Sequence, residues 1–235
     1  MPLIQHGDPT DLVRAIAPAP VVLGDENQPA SPFKISPDSR GVALKTIKLT
    51  KEFGFFKDLF NPAYNVYFIA WSWDFSGAPV VQYPPAQLGV TADTLVLTLR
   101  SQEERSFIGA GVLLFPARTV TAGINLCIHL WQSTQDVRGL GTTLSTVAQT
   151  IQSSTLNQVL STVALATASP AAAVTLATNA SLELTNAVGA VLKTSTDQHL
   201  DLFQGTYDVT QPWQAGDDLY QGQGTQIVLS RLAAQ

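Results

Sequence analysis

From Gly139 to Leu182 the chain carries no Asp, Glu, Lys or Arg. It is built there from Ala, Thr, Ser, Val and Leu. A stretch without ionisable side chains has to hide its apolar stripe against protein, or against something that replaces protein. Leu140, Leu144, Val147 and Ile151 fall at helical spacing. After a slip near Thr155, Leu156, Leu160 and Val163 resume that spacing. Ser169-Pro170 reads as a turn, with the proline near the start of a second helix. Val174, Ala177, Leu184, Ala187, Val188 and Val191 continue a looser face, and Lys193 suits a helix C-terminus. Thr and Val also favour strands, but no period of two is sustained. The spacing therefore predicts an α-helical hairpin over residues 138–197.

The flanking sequence reads as strands. "YNVYFIAWSWDF" is aromatic and β-branched on both parities, as expected of a central strand buried on both faces. "GVALKTIKL" alternates with a slip in its middle, which predicts a bulge. "APVVQY" is a short strand stopped by Pro84-Pro85. "DTLVLTLRS", "FIGAGVLLF", "GINLCIHLW", "HLDLFQGTYDV" and "GTQIVLSRL" follow with turn signals between them. "TQPWQAGDDLYQGQG" reads as a long loop. Residues 1–40 are Pro-rich and read as an arm, with "VVLG" at Val21 to Gly24 able to pair as an edge strand. The expected organisation is an arm (1–40), an antiparallel β-sandwich (41–137 and 198–235) and the helical insertion (138–197). The fold class is mainly β with an α insertion.

Composition excludes more than it assigns. The chain of 235 residues has a formal net charge of −5, so no basic stripe is available for nucleic acid. Cys127 is its one cysteine, which rules out an intrachain disulfide and, with three histidines, a thiolate-rich zinc site. The N-terminus has neither a basic region nor a continuous apolar core, so no signal peptide is expected. The protein is expected to be made soluble in the cytoplasm, which leaves later release and membrane association open. "GLGTTL" at Gly139 follows a strand and opens a helix, but it lacks the third glycine of a dinucleotide loop. It reads as a helix start capped by Thr142 or Thr143. His129 reads as a hydrogen-bonded residue of a sheet, and His6 and His199 have no obvious partner. Asp201, Asp208, Asp217 and Asp218 form an acidic region that either holds a cation or, the favoured reading, carries solvated loop charges. No nucleophile elbow or phosphate loop occurs. No catalytic residue, metal ligand or cofactor is assigned.

"LTLRSQEERSFIGAGVLLF" resembles the third loop of a C2 domain, where a strand leads into an acidic loop and Phe-Ile-Gly opens the next strand. "DLFNPAYNVYFIAW" is similar to that family's first loop, and the likeness covers mainly residues 41–131 and the tail. The resemblance implies a C2-like sandwich that docks to membrane lipid or to a receptor through its loop tips. At the positions where calcium-binding members carry carboxylates, this chain has Thr98, Arg100, Ser106 and Asn61. The resemblance thus implies a calcium-independent variant, since calcium needs several carboxylate oxygens.

Two sets of residues are the candidates for function. Phe53, Phe55, Phe56 and Phe60 crowd one loop beside Lys51 and Lys57, with Trp213 in another loop. They either plug the end of the sandwich or form an apolar tip that enters a bilayer interface. The hairpin stripe of Leu144, Val147, Ile151, Leu156, Leu160, Val163, Val174, Leu184 and Val188 is the candidate for insertion or oligomerisation. The expected function is non-enzymatic membrane engagement, in its strongest form that of a bacterial pore-forming toxin. The alternative is a scaffold whose hairpin assembles a homo-oligomer, where the lack of charge reflects burial at an interface.

Overall fold

The computed structural model describes residues 3–6, 33–51, 63–85, 96–134, 137–163, 170–193 and 197–233. Strands β1 (Leu3–His6), β2 (Ile35–Leu49), β3 (Tyr64–Trp73), β4 (Val81–Tyr83), β5 (Leu97–Leu99), β6 (Glu104–Ser106), β7 (Val112–Thr121) and β8 (Gly123–Ser133) come first. Helices α1 (Val137–Gln152), α2 (Thr155–Val163) and α3 (Pro170–Lys193) follow. Strands β9 (Gln198–Asp208), β10 (Gly216–Gln221) and β11 (Thr225–Ala233) close the chain.

The strands form two antiparallel sheets. The first runs β1-β9-β8-β3-β4, with β5 also on β3. The second runs β10-β11-β2-β6, with β7 also on β2. Between them lies one apolar core. Val42, Leu44, Ile47 and Leu49 of β2 and Ile227 and Leu229 of β11 meet Val66, Phe68, Leu126, Ile128 and Phe203 of the first sheet. The opposite face of that first sheet presents Tyr67, Ile69, Trp71, Trp73, Trp131 and Leu202, and these pack against the helices. The order of layers is sheet, sheet, helices. Strand β3 lies in the middle layer, which explains its apolar residues on both parities.

The slip in "GVALKTIKL" is a bulge. Opposite β11, register passes from Thr46 to Leu44 and skips Lys45. The opening of β7 needs glycine where it crosses that bulge. Gly111 has φ of 102° and sits against the Leu44 carbonyl, and Phe107 donates its N–H to Lys45 O at 2.8 Å.

The structure departs from expectation in several places, among them the helix start, which lies at Val137, so that Thr142 and Thr143 are inside the helix and not its cap. Strand β2 starts at Ile35, inside the stretch read as an arm. Strand β1, in the same stretch, pairs with β9. Gly216–Gln221, read as loop, is β10. The first arm of the expected hairpin is two helices, α1 and α2, and both pack on α3. Of "DTLVLTLRS", Leu97–Leu99 is strand, and "VVLG" lies outside the described residues.

Asp201, fully buried on β9, ties the two sheets together. Its carboxylate accepts from Gln223 N at 2.8 Å, Gly224 N at 3.0 Å and Thr225 Oγ1 at 2.6 Å. It is a satisfied interior anion, not the solvated charge expected from sequence. Asp201→Ala would strand two backbone donors in the β10–β11 turn, so chemical denaturation should show a loss of about 2–6 kcal/mol, at about 1–3 per orphaned group.

Candidate functional site

The helices are held to the first sheet by an apolar stripe and a few polar latches. Leu140, Leu144, Val147, Ala148 and Ile151 of α1, Leu156 and Leu160 of α2, and Ala173, Ala177, Ala180, Leu184, Val188 and Leu192 of α3 are buried. Thr hydroxyls inside the helices satisfy their donors on the preceding turn. Thr143, Thr146, Thr150 and Thr185 each donate to the carbonyl four residues back. At the α1–α2 break, Asn157 Nδ2 donates to the carbonyls of Ile151 and Gln152, both at 3.1 Å, and Ser154 Oγ also donates to Ile151 O at 2.7 Å. Its Oδ1 accepts from Val80 N at 2.8 Å, and Gln82 Nε2 donates to Ala148 O at 3.1 Å. Beyond α3, Tyr67 OH donates to Asp197 at 2.8 Å, and burial followed by the Asp197 charge pushes the phenol pKa up.

The interface is poorly satisfied for a protein interior. The indole N–H groups of Trp71, Trp73 and Trp131, the Ser181 hydroxyl and His129 Nδ1 are all buried without a hydrogen-bond partner among the described residues. His129 is a sheet residue, as expected from sequence, hydrogen-bonded through Nε2 to Cys127 while its Nδ1 has no partner among the described residues. Its ring stacks on Trp71 at 5.1 Å, lies 5.6 Å from the His199 ring, and has Nε2 at 3.5 Å from Cys127 Sγ. Burial, and then the charge of His199, lower its pKa well below the ordinary imidazole value. Burial also pushes the Cys127 thiol up, against a Thr185 hydrogen bond that lowers it, so the thiol is inert at neutral pH.

Of the residues picked out in the hairpin, Leu144, Val147, Ile151, Leu156, Leu160, Leu184 and Val188 converge on this interface. Val174 does not: it is 43% exposed, next to Leu176 at 51%. It sits one position after the buried Ala173, off the stripe. Val163 ends α2, and its side chain lies outside the described residues.

Of the loop set, Phe53, Phe55, Phe56, Lys57 and Phe60 lie outside the described residues, and Lys51 is exposed at the end of β2. Trp213 is half-buried against the inter-sheet core, with Nε1 donating to Leu232 O at 2.8 Å. Sequence reasoning missed Ile108, which is fully exposed at the tip of the Phe-Ile-Gly turn while Phe107 packs inward.

Two of the positions compared with calcium ligands are otherwise engaged, and Asn61 lies outside the described residues. Thr98 donates to Asn65, and Arg100 N donates to the Glu103 carboxylate. Asp74 is fully buried and accepts from Arg118, Ser76 and Thr121 N. Among the described residues no three His, Cys, Asp or Glu are grouped to hold a metal.

No family model and no curated protein matches the chain. Among solved structures, it is similar to human GIVD cytosolic phospholipase A2 in complex with the inhibitor methyl gamma-linolenyl fluorophosphonate and terbium chloride. That match has a TM-score of 0.32 and 9% identity, and it covers 86% of this chain. The chain spans only 18% of the phospholipase chain.

Proposed function

We propose that the protein is a non-enzymatic, membrane-engaging module: a calcium-independent, C2-like sandwich whose helical layer leaves the first sheet and binds a bilayer. The observation that carries this reading is the pairing of a helical layer uncharged from Gly139 to Leu182 with an interface where five buried polar groups have no partner among the described residues. Such groups gain hydrogen bonds when the layer separates, so the docked state is held mainly by apolar burial, with the Asn157 and Gln82 latches at one edge. Among the described residues no helix is long and apolar enough to cross a membrane. The reading is therefore of amphipathic helices lying in the interface, with Leu140, Leu144, Val147 and Ile151 toward the acyl chains. A pore of the bacterial toxin kind would then be built by several copies, with Ser and Thr facing water.

Liposome flotation and dye release test the reading. Binding is expected with calcium or chelator alike. It is also expected to vary little with anionic lipid, because apart from Arg138 the polar residues of α1 and α2 are Ser, Thr, Gln and Asn. Absence of binding at every pH and lipid composition would end it. A homo-oligomer is the second reading, favoured by the exposed Val174 and Leu176 on α3. Light scattering that shows a stable oligomer without lipid affinity would select it.

A further inference from the structure

A second feature lies at one end of the sandwich, away from the helices. There β9 of the first sheet leads through residues 209–215 into β10 of the second. The junction encloses a cleft of about 430 Å³, within the range of small-molecule sites. Its walls are Tyr207, Asp208, Gln211, Trp213, Asp218 and Arg231.

The cleft is held firmly. Buried Arg40 donates from Nη1 to Asp208 O and from Nη2 to Val209 O, both at 3.0 Å, and its guanidinium lies 5.3 Å from the Trp213 ring centre. The Trp213 N–H is fixed on Leu232 O, and Tyr207 meets the indole edge-on at 5.5 Å. Asp218 Oδ2 accepts from Tyr207 OH at 3.0 Å and lies 2.9 Å from Arg231 Nε. Tyr207 OH also shares a hydrogen bond with Tyr220 OH at 2.9 Å.

What remains unpaired is informative. Asp218 Oδ1, both Nη atoms of Arg231 and the Gln211 side-chain amide have no partner among the described residues, and all belong to residues lining the cleft. Donors and acceptors therefore stand side by side on planar groups, next to an indole and the Pro212 ring. The charges balance. Asp208 and Asp218 face Arg231, with Arg40 behind Trp213. A phosphate or carboxylate drawn to Arg231 would meet Asp218, and a cation drawn to Asp218 would meet Arg231. A sugar hydroxyl both donates and accepts, which suits a carboxylate oxygen beside a guanidinium fork, and a pyranose C–H face suits the indole.

We infer that this cleft binds a neutral saccharide. The inference is independent of the membrane reading, because binding is measured without lipid. The full chain is titrated with maltotriose, triacetylchitotriose and N-acetyllactosamine, and with inorganic phosphate and calcium as charged probes. Calorimetry and tryptophan fluorescence are the readouts. At least one of the three sugars is expected to bind. Its affinity should fall by about tenfold or more in Gln211→Ala, which removes only an exposed amide, and in Arg231→Lys, which keeps the charge and loses the fork. Circular dichroism should be unchanged in both variants. The inference is overturned if none of the three sugars binds. It is also overturned if phosphate or calcium displaces a bound sugar, or if both variants bind as the parent does.

Discussion

Acidification is expected to release the helical layer while the two sheets stay folded. The responsible group is His129. Docked, it is buried and neutral; released, it titrates near the ordinary imidazole value of about 6.5. A histidine whose pKa is lowered by docking adds stability that is present above that value and is lost as pH falls toward the lowered one. Each unit in that window shifts the docking equilibrium about tenfold toward release, about 1.4 kcal/mol. Among the described residues, the groups that meet His129 include no carboxylate: they are Cys127 on its own strand, Trp71 of β3 and His199 of β9, with α3 contributing Thr185 beside Cys127. Hydrogen exchange resolved by segment is the measurement. Protection in α1–α3 should collapse in the acidic range while β2, β3 and β8 remain protected. His129→Phe, which keeps a planar ring against Trp71, should move the collapse to lower pH. Loss of protection in sheets and helices together would show that the layers are one cooperative unit.

That separability rests on features the sequence carries to different degrees. The stripe from Leu140 to Leu160 is legible because helical period depends only on local spacing, and the structure buries those positions. The double-sided burial of β3 is legible for the same reason, since apolar residues on both parities need cover on both faces. Strand β10 was not. "GDDLYQ" carries two aspartates and a glutamine, and it becomes a strand through register with β11, where Asp217 pairs with Lys45 and accepts from Ser230. The early start of β2 was hidden by Pro37 and Asp38, and its pairing with β7 is correspondingly irregular. Within the site, the positions that pack were visible, but the unsatisfied indoles and imidazole were not. Whether Trp71 or His129 finds a partner depends on what α3 sets opposite it, and residues more than 50 positions apart decide that.

Ile151→Asp is expected to reproduce the acid-released state at neutral pH. Ile151 is fully buried at the end of α1, beside the break where Asn157 caps its carbonyl. Ile151 belongs to the apolar cluster between the helices and the first sheet. An unpaired buried charge costs several kcal/mol, while undocking returns it to water. The inter-sheet core contains no helical residue, so nothing in it is lost when the layer leaves. The variant should keep its strand circular dichroism and its protected sheets, expose the indoles of Trp71 and Trp131 to quencher, and bind liposomes at neutral pH to the extent the parent does in acid. Ile151→Val at the same position should cost about 0.5–1.5 kcal/mol and leave the pH dependence in place. If Ile151→Asp frees the layer but liposomes still do not capture it, membrane engagement is excluded and the helices are a cover for the aromatic face alone. If the sheets unfold with the layer, the division into a self-sufficient sandwich and a detachable helical cover is wrong.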